Sequence, residues 1–187
     1  MLTNQNLNIM NEIIKKNGVT FGFIFGLFSV LVTTTIYLVD LKLFTSAWIG
    51  IVSIIISITI GVILITKTKK QLNNIISFKD AFTVYFIAAA IGSTISTLFN
   101  YILFNFVDPG AKETIKEVTL KYTSEMMEKF GAPAASTNEA MRKLAETDNF
   151  SLGNLAMGLA FSLVFSALFG LILAAIFKSK SPSSQGL

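Results

Sequence analysis

Neither cysteine nor histidine occurs anywhere in this chain. Their absence removes disulfides, thiol nucleophiles, thiolate and imidazole metal ligands, and the side chain that most readily carries protons near neutral pH. Charge is scarce too: Asp, Glu, Lys and Arg make up 14% of the 187 residues, against 52% hydrophobic. Soluble domains are usually about a quarter charged. With a mean hydropathy of +0.66, the composition is that of an integral membrane protein. The length suits one membrane domain with a small insert and leaves no room for a separate catalytic domain. The working domain count is therefore one, over residues 1–187.

Four runs are long and apolar enough to cross a hydrocarbon core, which takes about 20 helical residues. They cover about 18–39, 47–66, 80–107 and 152–177, leaving short tails at 1–17 and 178–187 and an insert at 108–151. The first run is too long for the core of a signal peptide and no A-x-A site follows it, so it is expected to be retained. Lipid offers the backbone no hydrogen bonds, so each span must be a helix. The expected fold is all-α, an integral membrane four-helix bundle with an amphipathic helical hairpin between the third and fourth spans.

Lysines set the expected orientation. Lys15, Lys16, Lys67, Lys69, Lys70, Lys79, Lys178 and Lys180 flank one end of the bundle, while Lys42 and six basic residues of the insert lie at the other. The count is nearly even. The first group, however, sits close against the spans with few acids, and the insert's cations are dispersed among eight carboxylates. Both termini are accordingly expected in the cytoplasm of a bacterial inner membrane. The net charge of +4 reads as membrane anchoring toward anionic headgroups and not as a nucleic-acid surface.

Ser77 precedes Asp80 by three residues at the mouth of the third span. That spacing predicts a capping box, with the serine capping the first turn and the aspartate reaching back to its backbone amide. Inside the spans there is no Asp, Glu, Lys or Arg, which argues against a proton-coupled pump.

What the spans do contain is small residues at helical spacing. The first has Gly18, Gly22 and Gly26; the second Ser53, Ser57 and Gly61; the third Gly92 and Ser96 leading to Asn100; the fourth Gly158, Ser162, Ser166 and Gly170. Such stripes let helices approach closely. The plain reading is packing within the bundle, and the sharper one makes the long stripe of the fourth span an oligomer or partner interface. Asn100 must satisfy a carboxamide within the bilayer, and an interhelical hydrogen bond is the expected solution. Tyr37, Trp48 and Tyr101 read as an aromatic belt.

The insert opens on Asp108-Pro109-Gly110, which should end the third span. A helix follows with Ile115, Val118, Tyr122 and Met126 on one face and three opposite-charge pairs four residues apart: Glu117–Lys121, Lys121–Glu125 and Glu125–Lys129. Gly131 and Pro133 should stop it. A second helix is expected from Ser136, capped by Ser136 and Glu139. The stripe on this hairpin does not say whether it covers the bundle, the membrane or another protein.

The segments ISFKDAF at the start of the third span, NYILFNFVDPG at its end, AKETIKE in the insert and the lysine-ended last span resemble the Domain of Unknown Function 4199 family, bacterial membrane proteins typical of Bacteroidota. The resemblance implies a four-span inner-membrane protein with no established activity. It carries over no functional residues.

Three function classes follow. The first is an accessory or scaffold protein acting through helix stripes and the insert, with the bilayer and a membrane protein or second copy as partners. The second is an oligomeric small-solute transporter or channel subunit. The third is a lipid-modifying enzyme, which ranks last because no nucleophile, base and orienting group can be read together. No catalytic residue, cofactor or metal is expected.

Overall fold

A computed structural model describes residues 2–179, which form six α-helices and no strand. Helix α1 runs Leu2–Val39, α2 Ala47–Gln71, α3 Phe78–Ile102, α4 Ala111–Lys129, α5 Ala134–Glu146 and α6 Leu152–Phe177. A 3-10 turn, Leu41–Thr45, joins α1 to α2, and one π-helical turn, Leu103–Val107, extends α3. Four helical stretches are long and apolar enough to cross a membrane: Asn8–Val39, Ala47–Gln71, Phe78–Val107 and Leu152–Phe177. The architecture is the expected membrane bundle with a helical hairpin between α3 and α6.

Two spans are longer than their apolar runs suggested, both at the lysine-rich end. Helix α1 begins well before residue 18, because no proline or glycine interrupts the segment and Ile14 packs into the core. Asn17 is also buried there, donating from Nδ2 to Thr68 Oγ1 at 3.0 Å and to Gln71 Oε1 at 2.6 Å. Those contacts hold α2 helical for another turn past residue 66. Thr68 in turn donates to the Leu64 carbonyl, so this buried polar cluster is internally paired.

The lysine-rich end is closed by chain ends meeting each other. Lys69 Nζ donates to the Phe177 carbonyl at 3.0 Å, satisfying an acceptor that the end of α6 leaves unpaired. Just beyond α6, the Ser179 amide donates to the Ile76 carbonyl at 2.9 Å, and the Ile76 amide donates to Ser179 Oγ at 3.0 Å. Asn73 and Asn74 take left-handed backbone conformations, φ 55° and 63°, in the tight link between α2 and α3, a region that asparagine tolerates better than most residues. Lys180 and the rest of the tail lie outside the described residues.

Ser77 caps α3 as expected: its Oγ accepts from the Asp80 amide at 3.0 Å. The aspartate's return contact differs, since its carboxylate accepts from the Ser77 hydroxyl at 2.6 Å rather than from the backbone amide. The hydroxyl thus serves as acceptor for the helix and donor to the acid.

At the opposite end, Leu103, Phe104, Ala111 and Ile115 form a second core, covered by Tyr37, Leu41, Phe44, Phe99 and Phe150. The first turns of α4 are therefore seated on the bundle, whereas α5 contributes no buried residue. Helix α4 ends on Gly131 at φ +69°, with the Gly131 amide on the Glu128 carbonyl and Ala132 on Met127. This is the Schellman pattern that a glycine permits. Helix α5 starts at Ala134 behind Pro133, so Ser136 lies inside the helix and does not cap it. Of the three charge pairs expected on α4, Lys121–Glu125 forms at 4.0 Å; the other ion pair on that helix is Lys116–Glu113.

Candidate functional site

The small-residue stripes divide into three groups with different neighbours. On α1, Gly18, Gly22 and Gly26 receive the side chains of Ile87, Ile91 and Ile95 from α3; a β-carbon at these glycines would stand 2.7, 2.6 and 2.7 Å from the nearest isoleucine atom. Gly92 completes the seam from the other side, against Phe25 Cβ at 2.6 Å. Three β-branched residues four apart fill three gaps four apart, which fixes α1 and α3 as the closest pair in the bundle.

The second group holds a ring. Gly61 of α2 and Gly170 of α6 clasp Tyr85 of α3: a β-carbon at either would stand 2.9 Å from the tyrosine ring. Phe25 meets the same ring edge-on at 6.4 Å. Tyr85 is thus held between α2 and α6 where the two helices come close.

The third group lines a cavity of about 390 Å³ in the space beyond that ring. All four spans contribute. Ser29 comes from α1, Ser53 and Ser57 from α2, Ser93, Ser96 and Thr97 from α3, and Ser162 and Ser166 from α6, with Gly92 and Gly158 giving room. These positions run from the middle of the helices toward the insert end, where Ser53 and Gly158 lie six residues into α2 and α6. Two hydrogen bonds tie the walls: Ser29 Oγ donates to Ser96 Oγ at 3.1 Å, and Ser93 and Ser162 share one at 3.0 Å. Apolar lining comes from Phe25, Phe28, Val32 and Leu159.

Tyr85 is 9% exposed, and no described residue hydrogen-bonds its hydroxyl. Every fully enclosed side-chain oxygen or nitrogen among the described residues has a partner, so this hydroxyl is not sealed in the core, and Tyr85 lines both the main cavity and a smaller hollow beside it. A buried phenol normally finds a partner. Here the phenol is left free beside the hydroxyl-lined space.

Chemically, the cavity offers donors and acceptors without charge. Each serine or threonine hydroxyl can do both, and no carboxylate, amine or guanidinium lines it. Among the described residues no group of acids is placed to hold a metal ion. The site is suited to hydrogen-bonding a neutral group, and its volume lies in the range of small-ligand pockets, about 300–1,000 Å³.

Asn100 stands apart from this arrangement. Its Nδ2 donates to the Ser96 carbonyl at 3.0 Å, within its own helix, so it does not make the expected interhelical bond. A carboxamide can return to the carbonyl four residues back, as a side chain in a helix often does. Asn105 takes the bridging role. Its Nδ2 donates to the Tyr101 and Phe150 carbonyls at 3.0 and 2.9 Å, while Oδ1 accepts from Lys112 at 2.7 Å.

Lys112 also pairs with Asp148 at 3.1 Å. Partial burial works to raise the Asp148 pKa, but the Lys112 hydrogen bond, the Phe150 amide and the nearby Lys112 and Lys116 charges outweigh it and hold the carboxyl below its ordinary value. Tyr37 donates to Asp108 at 3.1 Å, so it clamps the start of the insert to α1. This polar clamp closes the bundle's insert end, and Ser77 and Asp80 remain at the other, away from the cavity.

The residues of this site that the sequence pattern did not single out are Tyr85, Ser29, Ser93 and Thr97. Tyr85 carried one signal: it lies well inside the third span, deeper than an interfacial tyrosine. The serines resemble any others in an apolar helix.

The family described as "Protein of unknown function (DUF4199)" matches residues 20–179. The chain belongs to this family. The match runs from within α1 through the cavity walls and the insert to the close of α6, and leaves outside it the start of α1 with Ile14, Asn17 and Gly18. Searches of curated proteins and of solved structures each gave no match.

Proposed function

We propose that this DUF4199 protein is a non-enzymatic binding protein of a bacterial cytoplasmic membrane that holds a small, uncharged, hydrogen-bonding molecule between its four spans. One observation carries the reading: Tyr85, 9% exposed and with no protein partner for its hydroxyl, lines a cavity between the four spans together with serine and threonine hydroxyls. Of the classes set out from the sequence, this favours a solute-handling protein. Both termini face the cytoplasm in this reading, on the strength of the lysines at that end.

The experiment is thermal unfolding of the purified protein in mild detergent across a panel of neutral alcohols, polyols and amides. Ligands that bind the folded state raise its melting temperature. At least one chemical class is expected to do so for the native chain, and to do so less for Ser162→Val, which removes a hydroxyl from the wall. A panel without any shift would sink the reading.

A second reading, the accessory or scaffold protein, is favoured by a separate observation. Gly153 of α6 has no atom within 4 Å of where a β-carbon would stand, and α5 buries no residue, which leaves the start of α6 and α5 free for a partner. A mild-detergent pull-down from the native membrane tests it. A stoichiometric partner lost on Gly153→Leu would support the scaffold class, and recovery of the chain alone would remove it.

A further inference from the structure

The cavity has closed ends and an open side. Toward the lysine-rich end lies the main core, where Leu64, Ile65 and Ala174 are fully enclosed. Toward the insert, Phe104 is fully enclosed among Phe44, Tyr37 and Phe150, with ring centroids 5.9, 6.4 and 4.3 Å away. The α2–α6 seam is different. Gly61 and Leu173 approach each other near the Tyr85 ring, but Gly50 and Gly158 farther along have no neighbours within 4 Å. A second hollow, about 210 Å³, lies on this seam and shares Ser53, Ser57 and Tyr85 with the main cavity. Its remaining lining is Ile54, Ile58 and Phe169, all substantially exposed on the apolar outer surface.

A hydroxyl-lined chamber that meets the outer apolar surface of a membrane bundle is open to lipid. Resting on the binding reading above, we propose that the ligand is a membrane-dissolved neutral amphiphile that enters sideways between α2 and α6. Its uncharged hydroxyl or amide head sits among the serines and accepts or donates to Tyr85, and its apolar chain leaves along Ile54, Ile58 and Phe169. The charge pattern supports a neutral head, because no cation lines the chamber to offset an anionic one and burying an unpaired charge is costly. The apolar seam supports a chain, because a solute arriving from water would have no use for a lipid-facing opening.

The test uses the full chain in phosphatidylcholine vesicles with two photoactivatable probes: a long-chain monoacylglycerol carrying a diazirine near its head, and a glycerol analogue carrying the same diazirine without the chain. The monoacylglycerol is expected to label Ser57, Ser162 and Phe169, with labelling displaced by unmodified monoacylglycerol. The chainless analogue is expected to leave these positions unlabelled. Tyr85→Phe should weaken the displacement by about fivefold, the value of one neutral hydrogen bond. Since Tyr85 Oη has no described protein partner, this variant should keep its melting temperature, which a purely structural role would not separate from labelling.

Displaceable labelling by both probes, or by the chainless one alone, would overturn lateral entry while keeping the binding reading. No displaceable labelling by either would overturn both.

Discussion

Gly22 of α1 and Ile91 of α3 lie so close that a β-carbon on the glycine would stand 2.6 Å from Ile91 Cβ and 3.2 Å from the Ala88 carbonyl. One of those neighbours is backbone, so a side chain cannot be accommodated by a rotamer change alone. Gly22→Ala is expected to part the two helices and cost about 1–3 kcal/mol, the usual range for overpacking a core. Chemical unfolding in detergent measures it. Adding Ile91→Ala should return part of the loss, and equal loss in the double variant would mean that the seam does not limit stability.

The long stripe of α6 should respond unequally along its length. A β-carbon at Gly170 would meet the Tyr85 ring at 2.9 Å, whereas Gly158 has open space. Gly170→Leu is therefore expected to destabilise by about 1–3 kcal/mol, and Gly158→Leu to stay within about 0.5 kcal/mol. Similar unfolding midpoints for the two would contradict the clasp around Tyr85.

Asn17 joins the start of the first membrane-crossing stretch to the end of the second through Thr68 and Gln71. Asn17→Ala removes the donor from the buried Thr68 and from the exposed Gln71, at an expected cost of about 1–3 kcal/mol. Asn11, exposed on the same helix, provides the control, and Asn11→Ala should leave the unfolding curve in place.

Acid should loosen the insert before the spans. The lowered Asp148 pKa means that its carboxylate favours the folded contact with Lys112 above the ordinary carboxylate value. That contribution is lost as pH falls through the lowered folded value, below about pH 4. Hydrogen exchange of α4 and α5 should rise in that window. Lys112→Met should raise exchange at neutral pH and flatten the acid response, and an unchanged profile in this variant would remove the pair from the account.

Orientation can be read with single cysteines, because the chain has none of its own. With the insert outside, Glu128→Cys should react with an impermeant thiol reagent in intact cells, and Lys79→Cys only after permeabilisation. The opposite pattern would invert the orientation proposed above.

The four spans, the all-α fold, the Ser77 cap and the Gly131 stop were legible in the residues themselves, because hydrophobic length, capping spacing and left-handed glycine act over a few neighbouring positions. The glycines and serines at intervals of four were legible as a pattern, yet their uses were not. Gly22, Gly170 and Gly158 stand in equivalent small-residue stripes, and one meets an isoleucine ridge, one a tyrosine ring and one open space. Periodicity tells which residues share a helix face; the rotation and tilt of the helices tell what that face meets. For the same reason Asn17 lay hidden in a polar start, Asn100 satisfied itself on Ser96 and left the bridge to Asn105, and the open Tyr85 hydroxyl emerged only when four separate helices came together around it.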